Sequence, residues 1–389
     1  MKVLLTATVQ SHIVQFHKPL VEVLHAHGCE VHVAARDNLA EKNGLKLNFV
    51  DKVYDVPFAR SPKSTDNIKA YKQLKKIIDD GNYDIVHCNT PMGGIVTRLA
   101  ARKARKNGTK VFYTAHGFHF YKGAPKKNWI VFYPIEKFFA GHYTDILITI
   151  SDADFQAANM HKFKTNLYRI HSVGINTKKY YVRDKEICAQ IRSKRGYSEE
   201  DFVCICTGEL NSNKNQRSLI EVVPEILKNT PNFRLILAGN GPEKEKLENQ
   251  IKELNIEKYV QLIGYRTDLE EFVAFADIAI SVSKREGLGI NLIEAMACGK
   301  PVIGSYNRGH REFIKDGKNG FIIKDESFKG KLIQCVTQLA SSPTLRNAMG
   351  NQALKDASVY MDWNVIKELE EIYFVGAESK NEQNQAVHQ

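Results

Sequence analysis

The chain has 389 residues, 43% of them hydrophobic and 25% charged, with a formal net charge of +11. That length exceeds one ordinary core and the apolar content excludes a wholly disordered chain, so two domains are expected. No segment reaches the roughly 18 uninterrupted apolar residues that span a bilayer, and the seven scattered cysteines, with no CxxC pair among them, point away from a zinc ribbon or a disulfide framework.

The opening stretch MKVLLTATVQSHIVQFHKPL breaks its apolar run at Thr6, Thr8 and Gln10 and is followed by no small-residue cleavage site, so it reads as a strand and not as a signal peptide. A cytoplasmic setting follows as the expectation. Short apolar runs then alternate with helical patterns: KVLLTA, a helix near 16–27, EVHVAA, a variable stretch, a helix near 66–79, DIVHC, a helix near 92–106 and KVFYTA. This alternation predicts a parallel sheet wound by helices. LITIS follows, and Asp152-Ala-Asp154 behind it has the lettering of a metal-binding motif but sits where an acid caps a helix start. Around 171–200 the turn-rich HSVGINTKKY and a charged segment suggest the join between domains.

A second alternating set begins near residue 200: DFVCICTG, a helix near 216–228, FRLILAG, a helix near 242–254, VQLIG, a helix near 268–274, DIAISVS, a helix near 289–298 and PVIGS. Cys204 and Cys206 alternate along their run, which places both on one strand face in the core. Thr267 with Glu270, and Ser198 with Asp201, fit the box in which a hydroxyl caps a helix and an acid reaches back. The tail from Glu378 lacks the apolar content to order itself.

Charge is unevenly divided. Residues 1–180 carry 27 Lys+Arg against 14 Asp+Glu, and no acid occurs between Asp84 and Glu136. The first half therefore faces an anionic partner, with nucleic acid, phospholipid and a diphosphate-linked acceptor as the candidates. The same acid-free stretch contains FHFYKGAPKKNWIVFYPIEKFF, which mixes aromatics with lysines. Lys122, Lys126, Lys127 and Trp129 are expected to face an anionic lipid surface, the alternative being that the aromatics are core and only the lysines are exposed.

Glu286-Gly-Leu-Gly-Ile-Asn-Leu-Ile-Glu294 follows the strand DIAISVS and runs into a helix. Gly287 and Gly289 remove side chains where the backbone must approach a ligand, and the amides of Ile290 and Asn291 would open the helix, where partial positive charge favours phosphate. Glu294 could accept hydrogen bonds from a ribose diol and Glu286 could reach sugar hydroxyls; on spacing alone the two could equally be a capping and a surface acid. The stretch resembles the E-x7-E motif of retaining glycosyltransferases of family 4. DIVHCNTPMGGIVTRLAARKAR, KVFYTAHGFHFYKG, TGELNSNKNQRSLI, LAGNGPEKEKL and GKPVIGSYNRGHREFI resemble, in the same order, segments of members that build bacterial capsular and exopolysaccharides, over residues 2–375.

The resemblance implies an α/β protein of GT-B fold, two Rossmann-like domains facing across a donor-binding cleft. It implies an acceptor- and membrane-facing domain at 1–180, a nucleotide-sugar-binding domain at 181–360, a helix at 361–377 crossing back to the first domain, and a disordered tail at 378–389. Glu286 is then the acid near the donor sugar, Glu294 the ribose-binding acid, and Ile290 and Asn291 the amides on the diphosphate. Lys214, in the polar loop NSNKN just after a strand, could meet an anion or be a plain surface lysine; by the resemblance it is the lysine on the distal phosphate. Where the family has an arginine four to five residues earlier, this chain has Gly208-Glu209-Leu210, so Glu209 is left out of the site.

His116, directly after KVFYTA, matches the histidine that approaches the donor sugar. Thr8, Gln10, Ser11 and His12 are expected in the first strand-to-helix loop, with Gln10 and His12 facing donor or acceptor; GxGxxG is absent there, which disfavours a dinucleotide cofactor. Arg266, in Gly264-Tyr265-Arg266, is expected near the donor base. Arg308 to Glu312 lie near the donor phosphates in the family, with no roles assigned, and Trp363, Ile366 and Leu369 are expected to pack.

The expected activity is retaining transfer of a hexose or N-acetylated amino sugar from a UDP-sugar to a polyprenyl-diphosphate-linked saccharide, without metal or cofactor, at the inner face of the membrane. Lys214 and the helix-terminal amides would offset the leaving-group charge. Alternatives are an epimerase or another enzyme of this scaffold without a lipid acceptor, a catalytically silent sugar-binding scaffold, or a nucleic-acid-binding protein. The last would leave the Glu286–Glu294 motif unexplained, and no nucleic-acid partner is expected.

Overall fold

The computed structural model describes residues 1–42, 44–121, 123–324 and 328–375. Two compact units emerge, Met1–Gly174 together with the segment from Asp362, and Ile175–Met361. The tail proposed at 378–389 lies outside the described residues, as does Lys122.

The first unit is built on seven parallel strands: β1 (Lys2–Val9), β2 (Glu30–Arg36), β3 (Lys52–Asp55), β4 (Ile85–Asn89), β5 (Lys110–Ala115), β6 (Ile146–Thr149) and β7 (Asn166–Arg169). Their order is β3-β2-β1-β4-β5-β6-β7, every pairing being parallel. Central strands are buried on both faces, which is why they read as unbroken apolar runs. The chain winds outward from β1 in one direction, then returns to start β4 on its other side. The carboxyl ends of β1 and β4 therefore flank the point where ligands collect in open α/β sheets.

Thr90, directly after β4, lies at φ 64°, and its hydroxyl pairs with that of Thr8 at 2.7 Å. A Cβ at Gly93 would fall 2.6 Å from the Thr90 hydroxyl and 3.1 Å from the Thr8 amide, so only glycine lets the helix Pro91–Ala100 press on β1 here. On that helix, Arg98 is fully buried, paired with Glu136 at 3.0 Å and stacked over Tyr113.

The second unit repeats the plan with six parallel strands: β8 (Phe202–Thr207), β9 (Phe233–Ala238), β10 (Val260–Gly264), β11 (Ile278–Ser281), β12 (Val302–Ser305) and β13 (Gly320–Ile323), in the order β10-β9-β8-β11-β12-β13. Its reversal lies between β8 and β11. Cys204 and Cys206 share one core face with Leu235 and Leu237, as their alternation predicts.

Several local expectations change. β1 runs without a loop into the helix Gln10–Phe16, and a second helix, Lys18–Ala26, starts at His17 because Pro19 fits only a first turn. Asp268, not Thr267, precedes the helix Leu269–Phe275, its carboxylate held by Arg195 and Arg266. The amide of Ser198 does bond Asp201 at 2.8 Å, but in the turn before β8 and not at a helix start. Asp152 and Asp154 open the helix Asp152–Met160; Ser151 caps it, and Asp154 accepts from the Phe118 amide. The segment from Asp362 belongs to the first unit, where Val365, Leu369 and Tyr373 are buried, whereas Trp363 is 49% exposed and does not pack as expected.

Candidate active site

In the second unit the loops after β8 and β11, on the two sides of the strand reversal, carry the charged groups. Lys214 Nζ meets Glu286 Oε1 at 2.5 Å, with their side chains only 22% and 12% exposed. Burial alone would push the Glu286 carboxyl up, but the Lys214 ammonium outweighs it and holds the acid below its usual range. The two loops are cross-tied: the Lys284 amide donates to Asn213 O at 2.8 Å and Asn213 Nδ2 donates to Arg285 O at 3.0 Å. On the other side of the lysine loop, a Cβ at Gly239 would fall 1.9 Å from Gly208 O, so the turn after β9 also presses against it.

Gly289 precedes the helix Ile290–Ala297 at φ 100°, and a Cβ there would lie 2.9 Å from the His310 ring. Glycine thus supplies both the left-handed turn and the space for that imidazole. Asn291 spends its side chain on Thr207 O at 3.0 Å, which fixes the helix start to β8 and leaves the first-turn amides for an anion. Asn307 anchors the next loop, its Nδ2 donating to Ser283 O while its Oδ1 accepts from the amides of Gly309 and His310. His310 is fully buried, Nδ1 facing Ser305 O at 2.9 Å, and its Nε2 has no partner.

Glu294, one turn and more along the helix, is pushed up to about 8 by burial, against a hydrogen bond from Tyr180 that opposes the rise. The helix therefore presents a neutral carboxyl at pH 7. Gly287 lies in the same loop as Glu286. Arg266 pairs with Asp268 at 2.7 Å and lies over Phe272. Glu209 is exposed.

The first unit has its own cluster at its strand reversal. His12, in the first helical turn after β1, places Nε2 3.3 Å from Nε2 of His116, which directly follows β5; His116 also faces Asn89 Oδ1 at 3.0 Å. His17 joins them from the next helix, its ring centroid 5.7 Å from that of His116. Burial first, and mutual repulsion second for His12 and His17, keep these imidazoles neutral: His116 falls to about 4, and His12 and His17 lie well below the usual value. Behind them His87 is pulled down to about 3 and uses both ring nitrogens, on Tyr373 and Thr114.

Gln10 does not face outward as expected; it is 4% exposed and donates to Ala35 O. Trp129 is likewise half-buried, its indole N–H given to Tyr121 O. Lys126 and Lys127 are exposed in the first turn of the helix Lys126–Tyr143. The apolar residues that do face solvent there are Ile130, Val131 and Phe138. Sequence reasoning passed over Tyr180 and His17, and it placed His310 within the loop Arg308 to Glu312 without giving it a role.

Residues 189–356 match the family model for glycosyl transferases group 1, and residues 2–151 that for glycosyl transferase 4-like proteins. The chain is 41% identical over 96% of its length, and 96% of the relative's, to glycosyltransferase EpsD of Bacillus subtilis (strain 168). It is a group 1 glycosyltransferase. This glycosyltransferase is also 25% identical, over 74% of its own chain and 75% of the relative's, to the UDP-Gal:alpha-D-GlcNAc-diphosphoundecaprenol alpha-1,3-galactosyltransferase of Escherichia coli. Its fold is GT-B: Anabaena HepE, solved with UDP and glucose, superposes with a TM-score of 0.78 at 20% identity, covering 96% of this chain and 99% of that one.

Proposed function

We propose that the protein transfers a hexose or N-acetylated amino sugar from a UDP-sugar to a saccharide carried on a polyprenyl diphosphate, with retention, in the assembly of a bacterial capsular or exopolysaccharide. The observation that carries this reading is the buried Lys214–Glu286 pair beside the amides that open the helix Ile290–Ala297. In this reading the Lys214 ammonium and those amides receive the charge that develops on the departing nucleoside diphosphate, so leaving-group stabilisation there calls for no metal. Glu286, released from Lys214 as phosphate takes its place, meets the sugar hydroxyls, and Glu294 meets the ribose. The neutral His116 offers the sugar a hydrogen bond without adding charge.

The UDP choice is supported by the HepE complex, and the lipid-linked acceptor by the name of the Escherichia coli relative. No helix among the described residues is long and apolar enough to cross a membrane. The acceptor would be met by peripheral, cytoplasmic-face association through Lys126, Lys127 and the exposed apolar face behind them.

Thermal stabilisation by a panel of UDP-, GDP- and ADP-sugars tests the donor, since a ligand that binds only the folded state raises apparent stability by mass action. A shift with UDP-sugars alone that is lost in Glu294→Ala is expected. A shift confined to GDP- or ADP-sugars overturns the base, and no shift with any of them overturns the site.

A further inference from the structure

His12, His17 and His116 of the first unit form a cluster of which the proposed transfer uses His116 alone. His12 and His116 point Nε2 at Nε2 across 3.3 Å. Nε2 of His116 also faces Asn89 Oδ1 at 3.0 Å, so its one hydrogen serves both Asn89 and His12, and an ion bound there displaces the Asn89 contact. Nε2 of His17 is buried with no hydrogen-bond partner, in a residue only 4% exposed. One coordinating nitrogen from each of the three rings lies within 4.8 Å of the other two. His87, although adjacent, is excluded because both its nitrogens are committed.

We propose that His12, His17 and His116 form a three-imidazole site for a divalent transition-metal ion of the zinc class. A tetrahedral ion with metal–nitrogen bonds of about 2.0–2.1 Å needs its ligand nitrogens about 3.3 Å apart, the spacing that His12 and His116 already have. His17 closes the two remaining edges by a side-chain movement that brings its unpartnered Nε2 to the ion. Loading consumes no proton: a ring that carries hydrogen on the coordinating nitrogen moves it to its other one and stays neutral. Imidazole ligands favour zinc, copper, nickel and iron over magnesium or calcium. Three protein ligands leave the fourth position open to water or an anion.

A consequence, which rests on the donor-sugar role proposed for His116, is that a bound ion takes that imidazole away from the sugar. Metal loading then inhibits transfer, and His17 is the residue through which inhibition can be removed without touching the donor contacts.

The test uses the full chain without an affinity tag, stripped by chelator and then titrated with Co²⁺ while its visible absorption is followed, with retained Zn²⁺ measured after gel filtration. One equivalent is expected, with tetrahedral cobalt bands displaced by Zn²⁺. His17→Gln is expected to weaken binding by at least roughly tenfold. His12→Gln, at a half-exposed position, serves the same purpose if the first variant does not fold. Absence of stoichiometric binding, or equal binding by folded variants, overturns the site. Zn²⁺ is further expected to inhibit transfer by the wild type and to spare His17→Gln. If cobalt binds as described but Zn²⁺ leaves transfer unchanged, the metal site stands and the role of His116 at the sugar falls.

Discussion

Glu294 combines a raised carboxyl with a role that asks for the opposite charge state. Ribose hydroxyls donate to a carboxylate most strongly when it is ionised, yet burial holds this group protonated up to about 8. Binding of UDP at pH 7 is therefore expected to release close to one proton. Calorimetric titrations in buffers of different ionisation enthalpy check this, and the dependence on buffer should vanish in Glu294→Gln. The same acid has a stability signature. Its folded value lies above the unfolded one, so its contribution is full below about pH 4.5 and is lost as pH rises through about 8. Lys214 is the contrasting case. Its partner Glu286 is ionised and mostly buried, and removal of the ammonium alone leaves that charge stranded.

Among the elements, the helix Lys126–Tyr143 is the one whose outward face has a consequence of its own. Lys126, Lys127, Ile130, Val131, Lys137 and Phe138 are exposed at helical spacing, while Glu136, Phe139 and Ala140 are buried. Ile130→Glu with Phe138→Glu is expected to abolish flotation with anionic vesicles and to leave the unfolding free energy measured in urea within about 0.5 kcal/mol of wild type, because neither residue is core. Unchanged flotation would remove this face from the membrane reading. Central strands and most helices were legible in the sequence because buried parallel strands are unbroken apolar runs. The outer strand β3, KVYD, was not, since it is largely exposed and has no such run. Resemblance to the family's motifs led to Glu286, Glu294 and Lys214, but not to the partners folded against them. Tyr180 meets Glu294, and His310 fills the space at Gly289, through contacts between distant parts of the chain that no local pattern encodes. Trp129 was misjudged for a related reason: composition placed it beside lysines, whereas its indole N–H is satisfied inward.

At the scale of the molecule, the first unit is expected to be the acid-sensitive one. His12, His17, His87 and His116 are all depressed, so below about pH 6.5 the unfolded chain takes up protons that the folded unit refuses. Stability from these groups is full above that value and falls below it, each imidazole contributing roughly 1.4 kcal/mol per pH unit. Both tryptophans, Trp129 and Trp363, belong to this unit, so indole fluorescence during urea unfolding between pH 4.5 and 7 reads it selectively. A midpoint that does not move would contradict the depression. Tyr373, which bonds His87 from the segment after Asp362, has a bearing on biosynthesis. The ribosome makes the whole of Ile175–Met361 before it makes the piece that seals the underside of the first sheet. Until that segment emerges, Phe112 and His87 of Met1–Gly174 lack their contacts with Tyr373. The later-encoded unit, complete in itself, is free to finish folding first.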